Sequence, residues 1–466
     1  MLNPDRFFPA DLNTRAVAGR LYREICDLPL ICPHGHTVPS WFSENEKFPD
    51  PAQLLIVPDH YILRMLVSQG ISLPSLGVVS NAGIDHETDG RSIWRLFSEN
   101  YHLFRSTPVR VWMDHTLSTL FNIHETPSAS NSDEIYDTIR DLLAADAYRP
   151  RALFDRFNIE VLATTDGCND NLAEHDAIAS SAWDGRVIPT YRPDAVVDPD
   201  YEGFHENIEE LGALTGEDVS NWKGYLNAHR TRRAYFINRG ATATDHGHPS
   251  AFTADLSKSE ASSLYQDILA GTSTAQQNEL FRGQMLTELA TMSIEDGLVM
   301  QLHPGSMRNH HAGIFSSFGR DKGFDIPQPA NYVSNLRPLL NKHGLNSNLS
   351  LILFTLDETT YSRELAPLAS VYPSLKLGPA WWFHDSPAGM MRYREQTTET
   401  AGYYNTAGFN DDTRAFPSIP ARHDLARRID CSFLAKQVVE HFLDEDEALE
   451  IAKELSYGLA KRAYKL

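Results

Sequence analysis

The stretch "IEVLATTDG" (159–167) decides the architecture. A short apolar, strand-forming run ends in two threonines, an aspartate and a glycine, and a helix-like segment follows. The same unit recurs at "RVIPTYRPD" (186–194), "GATATDHGH" (240–248), "GLVMQLHPG" (297–305), "SLILFTLDE" (350–358), "LKLGPAWWF" (375–383) and "YYNTAGFNDDTR" (403–414). Of these, "GATATDHGH" is only weakly apolar. The amphipathic segments between them include "GEDVSNWKGYLNAHRTRRAYF" and "NELFRGQMLTELATMSIED". A third, "DIPQPANYVSNLRPLLNKHG", ends at a glycine placed to cap a helix. Strands alternating with helices pair in parallel. With the opening run "LPLICPHGHT" (28–37) the units number eight, as a (β/α)8 TIM-type barrel requires. A doubly wound open sheet is the competing arrangement, but no G-x-G-x-x-G follows the first run.

The interval between the first two strands is too long for one crossover. "DHYILRMLVSQG", "GRSIWRLFSENYHLF" and "SDEIYDTIRDLLAADAYRPRALFDRF" read as helices within it. The expected organisation is a barrel domain formed by 1–40 and 156–466, with 41–155 a helical insertion over the barrel mouth.

The chain has 466 residues, 42% of them hydrophobic, which is enough for a large core and argues against disorder. A formal net charge of −21 disfavours nucleic acid, and it requires any anionic substrate to meet a local group of arginines. Four scattered cysteines, Cys26, Cys32, Cys168 and Cys431, form no C-x-x-C pair and read as reduced, cytoplasmic thiols. Neither a signal peptide nor a membrane-spanning stretch is expected.

In a barrel, reactive groups collect at the C-terminal ends of strands. Here those ends carry His34 and His36, Asp166, Arg192, Asp245 with His246, His303, Trp381 with Trp382, and Asp412 with Arg414. Residues two apart on a strand share a face, so His34 and His36 can converge on one ion. The first and eighth strands of a closed barrel are neighbours, which brings Asp412 to the same point. Two histidines, a carboxylate and an open position describe a catalytic zinc site. Asp411 competes with Asp412 for the third position. By the same alternation, at most one of the adjacent Trp381 and Trp382 should face the mouth.

In order, "PHGHT", "DHYILRML", "TTDG", "YRPD", "TDHG", "QLHPGSMRN", "WWF" and "DDTRAFPS…RHD" resemble uronate isomerase, a divergent branch of the metal-dependent amidohydrolase superfamily. The resemblance implies an aldose–ketose isomerase that interconverts D-glucuronate with D-fructuronate and D-galacturonate with D-tagaturonate, by metal-assisted proton transfer through an enediol. Its Asp-x-Arg pattern selects Asp412, with His34 and His36, for one divalent metal, zinc by its donors. It places His60, Tyr61, Arg192 and Arg414 at the substrate site, from which Asp412, Tyr61, His60 and Arg414 are expected in catalysis and Arg192 and Arg414 on the substrate, joined there by His303 and Trp381 from the strand ends. A homo-oligomer is the expected assembly. Many amidohydrolases carry an aspartate where Cys32 stands, and no lysine ends the fourth strand, so a mononuclear site is expected. The rival readings are a metal-dependent hydrolase of an amide or sugar lactone, and a non-catalytic sugar-acid binding protein.

Overall fold

The computed structural model describes residues 2–466. Its strands are β1 (Leu30–Cys32), β2 (Ile159–Ala163), β3 (Asp166–Gly167), β4 (Val187–Ile188), β5 (Tyr191–Arg192), β6 (Ala243–His246), β7 (Val299–Leu302), β8 (Ser306–Met307), β9 (Ile326–Pro327), β10 (Leu351–Leu353) and β11 (Leu375–Leu377). Apart from the antiparallel β8–β9 pair, every ladder is parallel. One sheet has the order β1-β2-β4, the other β11-β10-β7-β6-β5-β3. The division between them falls inside single runs, because β2 and β3 share 159–167, and β4 and β5 share 186–194. Thr164 N and Asp166 N carry the pairing across the break, donating to Ile188 O (2.9 Å) and Thr190 O (3.1 Å). The runs thus lie side by side in chain order.

Strands β7 and β10 are buried at every position, which is why they do not alternate. The one polar residue, Gln301 in β7, is buried with its Nε2 donating to Thr244 O (3.3 Å) and its Oε1 accepting from Tyr464 OH (3.1 Å). Strand β6 is buried throughout despite its polar sequence, because Asp245 is matched by cationic and imidazole partners described below. The eighth run departs from expectation. Only a Leu377–Thr406 bridge forms, with Leu377 N donating to Asn405 O and Ala407 N to Leu377 O, each at 2.8 Å. Left-handed backbone at Gly408 (φ 74°) and Asp412 (φ 45°) then turns the chain out of the extended ladder. His36 N still donates to Thr413 O (2.8 Å), so the first and last runs touch.

Between β1 and β2 the chain is helical, with helices at His60–Val67, Gly90–Glu99, Pro108–Thr119, Ser132–Leu143 and Pro150–Arg156. The Pro108–Thr119 helix is not one the sequence reading singles out, although Pro108 opens it at the position proline favours. Phe42, Trp94, Phe97 and Phe104 from this segment share one apolar cluster with Cys32, Ile159, Trp381 and Phe416. That cluster ties the helical segment to the ends of the first and last runs. Thr274 and Gln277 form a capping box for the helix Ala275–Asp296, and Gly297 (φ 84°) ends it. Gly344, expected to cap similarly, stays right-handed at φ −59°. Its constraint is space instead, since a Cβ there would meet Leu340 O and the Tyr372 ring at 2.6 Å each.

Candidate active site

The segments that follow the strands surround a cleft of about 1020 Å³. His34 and His36 lie just beyond β1, where the chain is no longer a strand, yet both imidazoles face Asp412. Asp412 Oδ1 is 3.5 Å from His34 Nε2 and 3.2 Å from His36 Nε2. One ligand atom from each lies within 4.8 Å of the others. Asp412 Oδ1 is buried and accepts no hydrogen bond, which suits a carboxylate oxygen reserved for a cation. Thr165 fixes the ring of His36. Its hydroxyl donates to Gly35 O (3.3 Å) and lies 2.7 Å from His36 Nδ1. That arrangement makes Nδ1 the donor and leaves the Nε2 lone pair free, as a metal ligand needs. Burial, then the Arg414 charge, push His36 down to about 4, so its imidazole is neutral near pH 7. Burial also presses His34 down, but Asp245 and Asp412 outweigh it and raise its pKa. Burial would lift Asp412, yet the imidazoles of His34 and His36 beside it hold it well below the usual carboxylate range. The trio therefore fits a divalent ion.

Asp245 lies behind the trio. Its Oδ1 is 2.7 Å from His303 Nε2 and 3.8 Å from His34 Nδ1, while its Oδ2 is 3.4 Å from Arg192 Nε. Burial works against its charge, but His303, His34 and Arg192 hold its pKa well below the usual range. Arg192 Nε also donates to Asp194 Oδ2 at 3.0 Å. One edge of this guanidinium is therefore committed to two carboxylates, and only the remainder is available to the cleft it lines.

Also lining the cleft, Arg414 Nη2 is 3.5 Å from Asp321 Oδ2, and Arg308 Nη1 is 3.8 Å from Asp321 Oδ1. A carboxylate thus already sits between two guanidinium groups inside the cleft. Tyr61 and His60 open the helix His60–Val67, whose first N–H groups are capped by Asp59. Both line the cleft. His60 stacks on Trp382 at 5.7 Å between centroids, and His303 packs edge-on against Trp381 at 5.2 Å. Both tryptophans therefore border the cleft, contrary to the strand-alternation expectation. The chain has left its strand at Leu377, and Trp382 takes a left-handed φ of 50°.

Asp411 faces away from the trio into a buried group. Its Oδ2 lies 3.3 Å from His423 Nε2, which is 3.7 Å from Cys32 Sγ. This is the other His/Cys/Asp grouping among the described residues. It anchors the residue preceding Asp412. Sequence reasoning missed Asp385 and Arg422. Asp385 Oδ2 accepts from Tyr61 OH (3.0 Å) and from Arg422 Nη1 (3.2 Å), and Arg422 Nη1 also donates to Asp411 O (3.1 Å). The only sequence signal for them was their position, Asp385 two residues after "WWF" and Arg422 inside "RHD". No described helix is long and apolar enough to cross a membrane.

Comparison with known proteins agrees over the whole chain. Residues 7–464 match the glucuronate isomerase family. A uronate isomerase of Rhizobium meliloti is 62% identical over 466 residues, spanning 100% of this chain and 99% of that one. The crystal structure of glucuronate isomerase from Caulobacter crescentus superposes with a TM-score of 0.98 at 58% identity, covering 100% and 97% of the two chains. That of uronate isomerase from Thermotoga maritima gives a TM-score of 0.92 at 26% identity, covering 100% and 99%.

Proposed function

The chain belongs to the glucuronate isomerase family, and from that premise we propose how its cleft moves a carbonyl along a sugar acid. The protein is a uronate isomerase, an intramolecular oxidoreductase of carbohydrate metabolism. Its substrates, in our reading, are D-glucuronate, converted to D-fructuronate, and D-galacturonate, converted to D-tagaturonate.

The reaction removes a proton from C2, delivers one to C1, and moves a hydroxyl proton from the C2 oxygen to the C1 oxygen. Asp412 is the base at C2, kept ionised by His34 and His36. Arg414 stands beside it to stabilise the developing enediolate. Tyr61 carries the proton between the two oxygens, with His60 next to it in the wall. Arg192, His303 and Trp381 hold the substrate, and Arg192 and Arg414, together with Arg308, provide the cationic lining that a carboxylate needs in a chain of net charge −21. His34, His36 and Asp412 would hold one divalent ion, zinc by the donor set. Bound there, it supplies a Lewis acid toward a substrate oxygen.

We read the scaffold as a (β/α)8 barrel built from 1–40 and 156–466, with 41–155 a helical insertion over the mouth. Parallel pairing in chain order supports this, as does the His36 N–Thr413 O bond that joins the two ends of the series.

The observation that carries the functional reading is the meeting of His34, His36 and Asp412 in an arginine-lined cleft. Incubation of the purified protein with D-glucuronate, followed by proton NMR, should show the ketose, and D-glucose should be a poor substrate. Absence of ketose, or equal handling of the two sugars, would overturn it.

A further inference from the structure

Tyr61 faces a geometric problem. A tyrosine that passes a proton between two substrate oxygens either donates first or accepts first, and it accepts first when its own proton is directed elsewhere and a lone pair is turned toward the substrate. The structure shows where its own proton points. Tyr61 OH donates to Asp385 Oδ2 at 3.0 Å, away from the cleft. Asp385 is buried, its other oxygen Oδ1 has no hydrogen-bond partner, and its Oδ2 also receives Arg422 Nη1 at 3.2 Å. The Arg422 guanidinium is itself fixed, lying 3.6 Å over the Trp112 ring and bonded to Asp411 O.

We propose that Asp385 is the positioning residue for Tyr61, turning the phenol into a proton acceptor and holding its proton while the substrate's hydroxyl proton is in transit. This rests on the isomerase reading above. In the first half of the transfer, the O–H bond at the C2 oxygen breaks and a new O–H forms on Tyr61, while the original Tyr61 O–H breaks and its proton moves to Asp385 Oδ2. In the second half, Asp385 returns that proton to Tyr61, and Tyr61 gives one to the C1 oxygen. No oxidant or further reactant is needed, and both residues end as they began.

The surroundings suit the task. Burial raises Asp385 to about 7 even with Arg422 and Tyr61 stabilising its charge, so brief protonation is not costly near neutrality. Arg422 contacts the backbone of Asp411, so the same guanidinium braces the segment bearing the C2 base.

The test is a pair of comparisons. Asp385→Asn keeps the shape but cannot hold the proton. It should lower kcat about 100-fold, the scale of one general acid–base contribution, with KM within about threefold of wild type. In a Tyr61→Phe background the same substitution should cost less than about threefold, because Asp385 acts through Tyr61. A purely structural role would multiply the two losses instead, and that result, or an Asp385→Asn enzyme of near-normal kcat, overturns the inference. If Arg422, left uncompensated, unfolds the single variant, Asp385→Asn is introduced into Arg422→Gln and each comparison is read against that parent. A wild-type protein that makes no ketose would defeat the isomerase reading itself. A wild type that turns over while Asp385 proves dispensable defeats only this inference.

Discussion

Replacing Arg192 by alanine tests whether this guanidinium is structural counter-charge as well as the substrate contact proposed for it. Its Nε sits 3.0 Å from Asp194 and 3.4 Å from Asp245, and the Asp245 side chain is wholly buried. Removing one partner of a buried pair costs about 3–5 kcal/mol, since the remaining charge is left uncompensated. Asp245 keeps His303 and His34 nearby, and a quarter of the Arg192 side chain reaches solvent, so the lower end, about 3 kcal/mol, applies. For 466 residues at roughly 2 cal/mol/K each, the unfolding entropy is about 1 kcal/mol/K, so the melting midpoint should fall by about 3 °C. Scanning calorimetry reads this directly, and Arg192→Lys, which restores a point charge, should recover part of it. Uronate turnover should fall in the same alanine variant. An unchanged midpoint alongside lost turnover would refute the counter-charge role and leave Arg192 a substrate clamp only.

Elemental analysis should find about one divalent ion per chain and almost none in His34→Ala/His36→Ala, and unchanged content would remove these residues as ligands. Arg394 pairs with Asp430 inside the core through contacts of 2.6 and 3.0 Å, so Arg394→Ala should cost about 3–5 kcal/mol in denaturant unfolding, and a loss below 1 would contradict the pairing's importance. Asp166 is raised by burial from 3.8 to about 7, so the folded state keeps its proton where the unfolded chain has lost it, and stability falls as pH rises through that window. Asp166→Asn should therefore gain about 2 kcal/mol relative to wild type between about pH 5.5 and pH 8, and a pH-independent difference would show that Asp166 is not the group responsible.

Fold and site were legible in the sequence to different depths. Val299–Leu302 and Leu351–Leu353 announce themselves because a strand buried on both faces shows no polar–apolar alternation, Gln301 being the one polar residue in the two. The eighth run does not, because the turn at Gly408 and Asp412 depends on where the chain must go, which no local pattern encodes. Gly344 carries the signature of a helix cap, but its side-chain space is taken by Tyr372, a neighbour remote in sequence. Likewise, His34, His36 and Asp412 could be read from the order of strand ends. Asp385 and Arg422 could not, since in sequence a carboxylate and an arginine next to a helix start read as surface charge. Their meaning comes from burial beside Tyr61, a residue 324 positions from Asp385 that tertiary packing brings into contact. Trp382 teaches the converse, for strand alternation ceases to apply once the backbone leaves the strand.

The central claim is that Asp412 carries a proton from C2 to C1 of a uronate, and the reaction run in heavy water tests it most directly. A carboxyl proton can exchange with solvent during the enediol's lifetime, so proton NMR should find deuterium at C1 of the ketose, with incorporation below complete where the shielded base returns the same proton. Asp412→Asn should abolish incorporation and turnover together. Ketose formed with all of the substrate hydrogen retained, or formed by Asp412→Asn at the wild-type rate, would contradict the account.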